Sequence, residues 1–451
     1  MKDLQDTVKT LEGLSTKGDF AASRELLQDM QAADVAEILD TIDIEHARRI
    51  VSSLPARQQA SVFGYLRPEV QAYLATGMSR SQLAALFELM DHDERADLYN
   101  RLNESERWAI LPGLAHAERE DIRQLASYPE GTVGSVMTSA YVTLDISQTT
   151  REALERVRTE APDMETIYQT YVLDAERHLL GVISLRDLLL APPDTCLRDI
   201  MVKDVIFSVA DNPRTEAVRL IGRYDLLALP VVNQQGQMVG IVTHDDALEV
   251  TQEQATEAQH RMGAVVHVPS SLKEASVRHL YMGRVGWLVV LVFGNVFAGA
   301  GIAHFEDLIS HIVALVFFLP LLIGSGGNAG SQSSTLMVRA LATEDVGMQD
   351  WLCLLAKELS VSLLLGLSMA VAVSGIGFFR AGPGVAIVVS LTMVLIVIVG
   401  SLIGMSLPLL LTRFNMDPAS ASAPLVTSIC DGVGVLIYFN VANLLLAGPT
   451  G

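Results

Sequence analysis

The sequence predicts a multi-domain membrane protein with an all-α superhelical N-terminal domain, an α+β tandem of two small units, and an α-helical membrane domain with five spans. Three observations carry this expectation. Hydrophobic residues make up 50% of the 451 positions and charged residues only 19%, which is too apolar for a disordered or wholly soluble chain. The net charge is −20, yet residues 270–451 hold seven Lys and Arg against nine Asp and Glu, so nearly all the acid excess lies before residue 270. Internal repeats of two kinds occur within that acidic region. The excess of acid argues against a nucleic-acid partner, and the length suits about three domains of ~150 residues.

The N-terminal domain is expected over 1–130. Residues 36–54 (AEILDTIDIEHARRIVSSL) and 84–102 (AALFELMDHDERADLYNRL) share length, apolar spacing, an Asp at the same place and a final Leu. A helical stretch, 61–78, fills the gap. Stacked helical hairpins of a solenoid give such a pattern, and so does an ordinary helical bundle.

The tandem is expected over 131–252. Residues 179–189 (LLGVISLRDLL) and 238–248 (MVGIVTHDDAL) each run from a β-branched strand through Gly and Ser or Thr into a helix whose first turn carries Asp. An Ile/Val-rich strand precedes each, at 166–174 and 226–233, so the uncharged run 226–244 is a broken hairpin and not a span. The two units, about 136–196 and 200–252, resemble a tandem of cystathionine-β-synthase-type (CBS) domains. That resemblance implies that Ser184 with Asp187, and Thr243 with Asp246, hold the ribose of a nucleotide such as ATP. A carboxylate can accept two hydrogen bonds from vicinal hydroxyls. The alternative is that these residues only cap helices.

Beyond residue 273 apolar segments of membrane length recur at 285–304, 308–337, 359–379, 384–411 and 424–446. Five spans put the termini on opposite sides. With the acidic region cytoplasmic, Lys273, Arg278, Arg284, Arg339, Lys357 and Arg413 lie inside and only Arg380 outside, as the positive-inside rule requires. Met1 to Lys17 mixes both signs of charge and has no apolar core, unlike a secretory signal. Cys196, Cys353 and Cys430 form no CxxC pair and suit a reducing compartment. The expected location is the cytoplasmic membrane.

Two features of the apolar region carry chemistry. Pro320 to Ser334 (PLLIGSGGNAGSQSS) reads as a Gly- and Ser-rich break in or just after a span, where Asn328 and exposed carbonyls would line a pore; close helix packing is the alternative. Its GxGxxA match to a dinucleotide fingerprint is set aside, because no βαβ unit surrounds it. Asp431 lies mid-span with no Lys or Arg in the same segment. A charge at that depth costs ~2.5–3.5 kcal/mol and marks a functional site; a cation is the expected partner, and a protonated, hydrogen-bonded Asp the alternative. Asp431, Asn328 and carbonyls are hard donors, which favour Mg²⁺, Ca²⁺ or Mn²⁺.

In order and spacing, the helical domain, CBS pair, linker and spans resemble the MgtE family of magnesium channels across essentially the whole chain. The motif residues are Pro320, Gly324, Gly326-Gly-Asn328, Gly330, Gln332, Asp417-Pro-Ala419, Pro424, Thr427, Asp431 and Gly432. The resemblance implies a homodimer whose pore ion is bound by Asp431, and a plug helix within 245–272 that closes the pore when cytosolic Mg²⁺ binds. Candidate sensor carboxylates are Asp225, Asp245, Asp246, Glu249 and Glu257, with Asp91 and either Asp93 or Asp97 on the helical domain and Asp417 at the entrance to the last span. A strongly acidic region repels itself, and divalent ions would let it close. The expected function is potential-driven Mg²⁺ influx, with Co²⁺ or Mn²⁺ as further candidates. No P-loop or aspartyl-phosphate signature suggests a pump or an enzyme. Na⁺- or H⁺-coupled exchange, and a membrane-anchored nucleotide sensor that moves nothing, are the alternatives.

Overall fold

The structure, a computed structural model, describes residues 2–104, 107, 114–265, 276–343 and 345–446. Residues 266–272 of the expected linker, with Lys273, lie outside the described residues, as do stretches of the expected N-terminal domain within 105–113. The chain forms two compact units, 1–253 and 254–451.

The first unit opens on short helices: α1 (Lys2–Lys17), α2 (Phe20–Leu27), α3 (Ala32–Leu39), α4 (Ile44–Val51), α5 (Ala56–Tyr65), α6 (Pro68–Thr76), α7 (Arg80–Leu89), α8 (His92–Arg101) and α9 (His116–Leu125). Each 19-residue repeat is therefore two helices, α3–α4 and α7–α8, and the shared Asp is the N-cap of the second. Asp43 fills that role by accepting from the backbone N–H of Glu45 at 3.0 Å, whereas the Asp91 side chain makes no capping bond. The expected single helix over 61–78 is two. Pro68 has no N–H to continue a helix, and extended Arg67 is held by Asp40, which accepts from its backbone N–H and from Nε, both at 3.2 Å. Leu27, Ile38, Ile50, Phe63, Leu74 and Phe87 are fully buried in one core, each contributing about 1.5–3 kcal/mol by its removal from water.

Two three-stranded sheets follow. In the first, β1 (Tyr141–Asp145) runs parallel to β2 (Thr166–Leu173), which pairs antiparallel with β3 (Leu179–Ser184); α10 (Thr150–Glu160) connects β1 to β2 and α11 (Leu185–Leu190) follows β3. The second repeats the order with β4 (Ser208–Val209), α12 (Arg214–Tyr224), β5 (Ala228–Val232), β6 (Met238–Thr243) and α13 (His244–Met262). The segment before each sheet bridges to the other sheet: Thr138 pairs with Ile241, and Val202 with Val182. This crossing explains the glycine shared by the two motifs. A Cβ on Gly181 would stand 2.8 Å from Met201 Sδ, and one on Gly240 would stand 2.7 Å from Met137 Sδ.

The second unit contains α14 (Val277–His304), a short helix Glu306–His311, α15 (Ala314–Ala342), α16 (Trp351–Arg413) and α17 (Ala423–Leu446). At 1.5 Å per residue α16 would be ~95 Å long if straight, but Gly382 leaves helical geometry at φ 84°, ψ 177°. Its two arms fold back on each other. A Cβ on Gly377 would meet Ala386 Cα at 2.9 Å, and one on Gly366 would meet Val394 Cα at 3.0 Å. With α14, α15 and α17 these arms make five apolar helical segments among the described residues. The expected second span, 308–337, is corrected: it starts in the short helix, and α15 runs later, to Ala342. Outward side chains such as Phe297, Leu364, Val371 and Phe379 are exposed and apolar, a surface suited to lipid.

The expected break at Pro320–Ser334 is also corrected, because α15 runs through it as continuous helix. Its glycines serve packing instead. A Cβ on Gly404 of α16 would stand 1.9 Å from the Gly330 carbonyl oxygen, and one on Gly400 2.5 Å from that of Gly326. Two small-xxx-small stripes, Gly326/Gly330 and Gly400/Gly404, cross backbone against backbone.

Candidate functional site

In the first unit α8 and the start of α13 face each other across a cleft of about 120 Å³. Asp93, Glu94 and Asp97 line one side, and Asp246, Glu249 and Glu253 the other. Helical periodicity places each set on one face, at i, i+4 for Asp93/Asp97 and i, i+3, i+7 for the other. Docking of α8 is fixed by Asp121 of α9, whose Oδ2 lies 2.7 Å from His92 Nδ1 and 3.2 Å from Arg95 Nη2 and whose other oxygen accepts from Ser139. Two arginines neutralise some of the cleft charge. Arg101 pairs with Asp97 at 3.2 Å, and Arg214 with Glu253 at 2.8 Å. Asp93, Glu94, Asp246 and Glu249 have no such partner among the described residues, and Asp93 Oδ1 is buried with no hydrogen bond.

The electrostatics follow from that crowding. Burial and then the neighbouring Asp93 and Glu249 charges push Glu94 up to about 9. Glu165 is raised to about 8 by burial and then by Asp93. Asp93, Asp97, Asp246 and Glu249 are raised as well, chiefly by burial. Raised carboxyls favour their protonated form in the folded state, so stability is lost as pH climbs from the ordinary Glu value of 4.5 through about 9. The full chain in detergent without divalent ions is expected to melt at a lower temperature at about pH 9 than at about pH 6. Millimolar Mg²⁺ should restore more of that loss at the higher pH; an equal Mg²⁺ effect at both would separate the cleft from ion binding.

The other sensor candidates are distributed. Asp91 is exposed at the start of α8, and its neighbour Asp93 enters the cleft in its stead. Asp245 is exposed beside Asp246, and its charge contributes to the shifts of Asp246 and Glu165. Asp225 is exposed at the C-cap of α12 in left-handed geometry, φ 52°. Glu257 and Asp417, in the second unit, both pair with Arg261. Sequence reasoning missed Glu94 and Glu253, for which the one-face spacing of acids on α8 and α13 was the available signal, and Glu165, just before β2, for which no local signal existed.

Both Ser/Thr-x-x-Asp segments form hydrogen-bonded turns at helix starts. Ser184 caps α11 by accepting from the Asp187 N–H at 3.0 Å and donates to Asp187 Oδ2 at 2.6 Å. Thr243 donates to Asp246 Oδ2 at 2.5 Å. Asp187 is exposed, while Asp246 points into the acidic cleft, where an anionic phosphate chain would be repelled. Asp174, Glu176 and His178 also bring ligand atoms within 4.8 Å of one another, but Asp174 there closes a turn by accepting from the His178 and Glu176 N–H groups at 2.7 and 3.0 Å.

In the second unit α15 lies antiparallel to α17. Ser334 Oγ donates to the Ala421 carbonyl at 3.0 Å, Ser331 Oγ lies 3.3 Å from Thr427 Oγ1, and a Cβ on Gly327 would meet Thr427. Asp431 is one turn beyond Thr427 and half-buried. It has no hydrogen bond or ion pair among the described residues, and neither does the exposed Asn328. Residues 324–330 lie within continuous helix, so their carbonyls are engaged along the helix axis and not exposed by a break.

Apolar helices of membrane length, an unpaired carboxylate within the last of them, and an acid-lined CBS pair define a class, the membrane transporters of divalent cations with soluble regulatory domains. Family models match accordingly: "Divalent cation transporter" at 319–441, "MgtE intracellular N domain" at 30–131, and "CBS domain" at 133–194 and 197–253. The magnesium transporter MgtE of Thermus thermophilus is 38% identical over 440 residues, covering 97% of this chain and 98% of that protein. That of Bacillus subtilis is 30% identical over 433 residues, 95% of each. Among solved structures, the soluble part of a magnesium transporter matches with a TM-score of 0.51 at 29% identity, over 56% of this chain and 99% of that one. The cytosolic domain of the Mg²⁺ channel MgtE in complex with ATP matches with a TM-score of 0.51 at 34% identity, over 54% and 99%. The chain belongs to the MgtE family of magnesium transporters, and is a transporter and not an enzyme.

Proposed function

We propose that the chain is a Mg²⁺ channel of the cytoplasmic membrane, crossing it five times with its N-terminal domains in the cytoplasm and working as a homodimer. The observation that carries this reading is Asp431, a carboxylate without protein partner on an otherwise apolar helix. Two copies on a symmetry axis supply two hard-oxygen charges, which suits an ion that keeps most of its water. A divalent cation gains about twice ~2.3 kcal/mol per 100 mV on entering a negative interior, so influx needs no other fuel.

Closure by cytosolic Mg²⁺ is assigned to the cleft between α8 and α13. Its acids without an ion-pair partner, Asp93, Glu94, Asp246 and Glu249, are too crowded to ionise together, and a divalent ion between them would stabilise their charged forms. An adenine nucleotide is assigned to the open Ser184–Asp187 turn, in keeping with the ATP complex of the related cytosolic domain.

The test is Mg²⁺ uptake into proteoliposomes under an inside-negative potential, without a Na⁺ or H⁺ gradient, at low and millimolar Mg²⁺ on the regulatory face. Influx that stops at millimolar Mg²⁺ supports the channel; uptake only with a counter-ion gradient makes it an exchanger. The double substitution Asp93→Asn with Asp246→Asn should raise the half-closing Mg²⁺ concentration about thirtyfold, since two lost charge pairings at ~1 kcal/mol each sum to ~2 kcal/mol. An unchanged half-closing point would remove the cleft from sensing.

A further inference from the structure

Glu257 on the last turns of α13 and Asp417, far along the chain before α17, converge on one guanidinium. Arg261 donates to both. Asp417 is also wired into the backbone: its Oδ1 accepts from the Ala419 N–H at 2.8 Å and so caps the turn Pro418–Ser420. That turn is packed, with Ala419, Ala421 and Ser422 buried. Its Ala421 carbonyl takes the hydrogen bond from Ser334 of α15, and α17, with Thr427 and Asp431, begins two residues later. The other end of the contact is equally defined. Helix α13 closes with Val265 N–H on the His260 carbonyl at 2.9 Å, and with Ala264 in left-handed geometry at φ 56°. A residue with a Cβ holds that geometry only where its surroundings impose it.

We propose that Arg261 is a built-in counter-cation that latches the end of α13 to the turn leading into α17, occupying the place between Glu257 and Asp417 that a bridging divalent ion would otherwise take. A guanidinium is always charged and offers five donors, so this contact forms without any divalent ion. The chain then starts partly closed, and the cleft acids need supply only the remainder. The inference deepens the channel reading above and rests on it for its effect on flux.

Two measurements test it. In proteoliposomes, Arg261→Gln should raise the half-closing Mg²⁺ concentration roughly fivefold, the upper range for an exposed pair, and the exchange Arg261→Asp with Asp417→Arg should bring it back. An unchanged half-closing point in Arg261→Gln overturns the proposal. Separately, unfolding midpoints in detergent for Arg261→Gln, Asp417→Asn and the double variant should be non-additive, and Asn keeps the cap on Ala419. If the unsubstituted protein carries no Mg²⁺ the channel reading fails, and this cycle then decides the contact by itself: non-additive midpoints support the latch and additive ones overturn it.

Discussion

Asp431→Asn is expected to give a folded protein whose Mg²⁺ uptake is at least about a hundredfold lower, matching the ~2.5–3.5 kcal/mol set by one membrane carboxylate. The fold should tolerate the change. Asp431 has no hydrogen bond or ion pair to lose among the described residues, and Asn retains its size. What disappears is the charge, and with it the compensation that draws a cation out of water. Gel filtration in detergent reports the fold and proteoliposome uptake the function. Near-normal uptake would move the ion site elsewhere along α15 and α17.

Gly404→Ala is expected to act on the opposite quantity. The added methyl would stand 1.9 Å from the Gly330 carbonyl oxygen, so α15 and α16 must separate where Gly326 and Gly400 also touch. Overpacking against side chains costs ~1–3 kcal/mol; here the neighbour is backbone and cannot rotate away, so the cost should lie at or above that range. A marked fall in unfolding midpoint and loss of monodisperse protein are the expected readouts. Gly324→Ala is the control, since nothing lies within 4 Å of its Cβ position. Equal midpoints for both variants would contradict the backbone crossing.

The division into an acidic and an apolar region, the duplicated sheets and the lone Asp431 were legible because charge, strand pattern and helix length are local signals. The Gly- and Ser-rich run of α15 was misread for a physical reason. Small residues suit a break and a tight crossing equally, and the partners that decide between them, Gly400 and Gly404, lie some seventy residues further on. Asp91, which aligns with the capping Asp43, was a candidate through the family resemblance alone. Which acid is buried depends on how α8 docks through Asp121 and Ser139, a tertiary fact, and that docking selects Asp93. Arg261 reads locally as a cation complementing a helix C-terminus, and nothing near it announces Asp417.

The exchange of bridging segments between the two sheets bears on how this tandem arose. Thr138 lies before the first sheet yet pairs with β6, and Val202 lies before the second yet pairs with β3. One unit alone would leave its edge bare and its leading segment without a host. An ancestral single copy with this architecture would close only by trading segments with a sister molecule. The tandem is thus a two-fold dimer written into one polypeptide, and a chain severed between the halves should reassemble from its fragments.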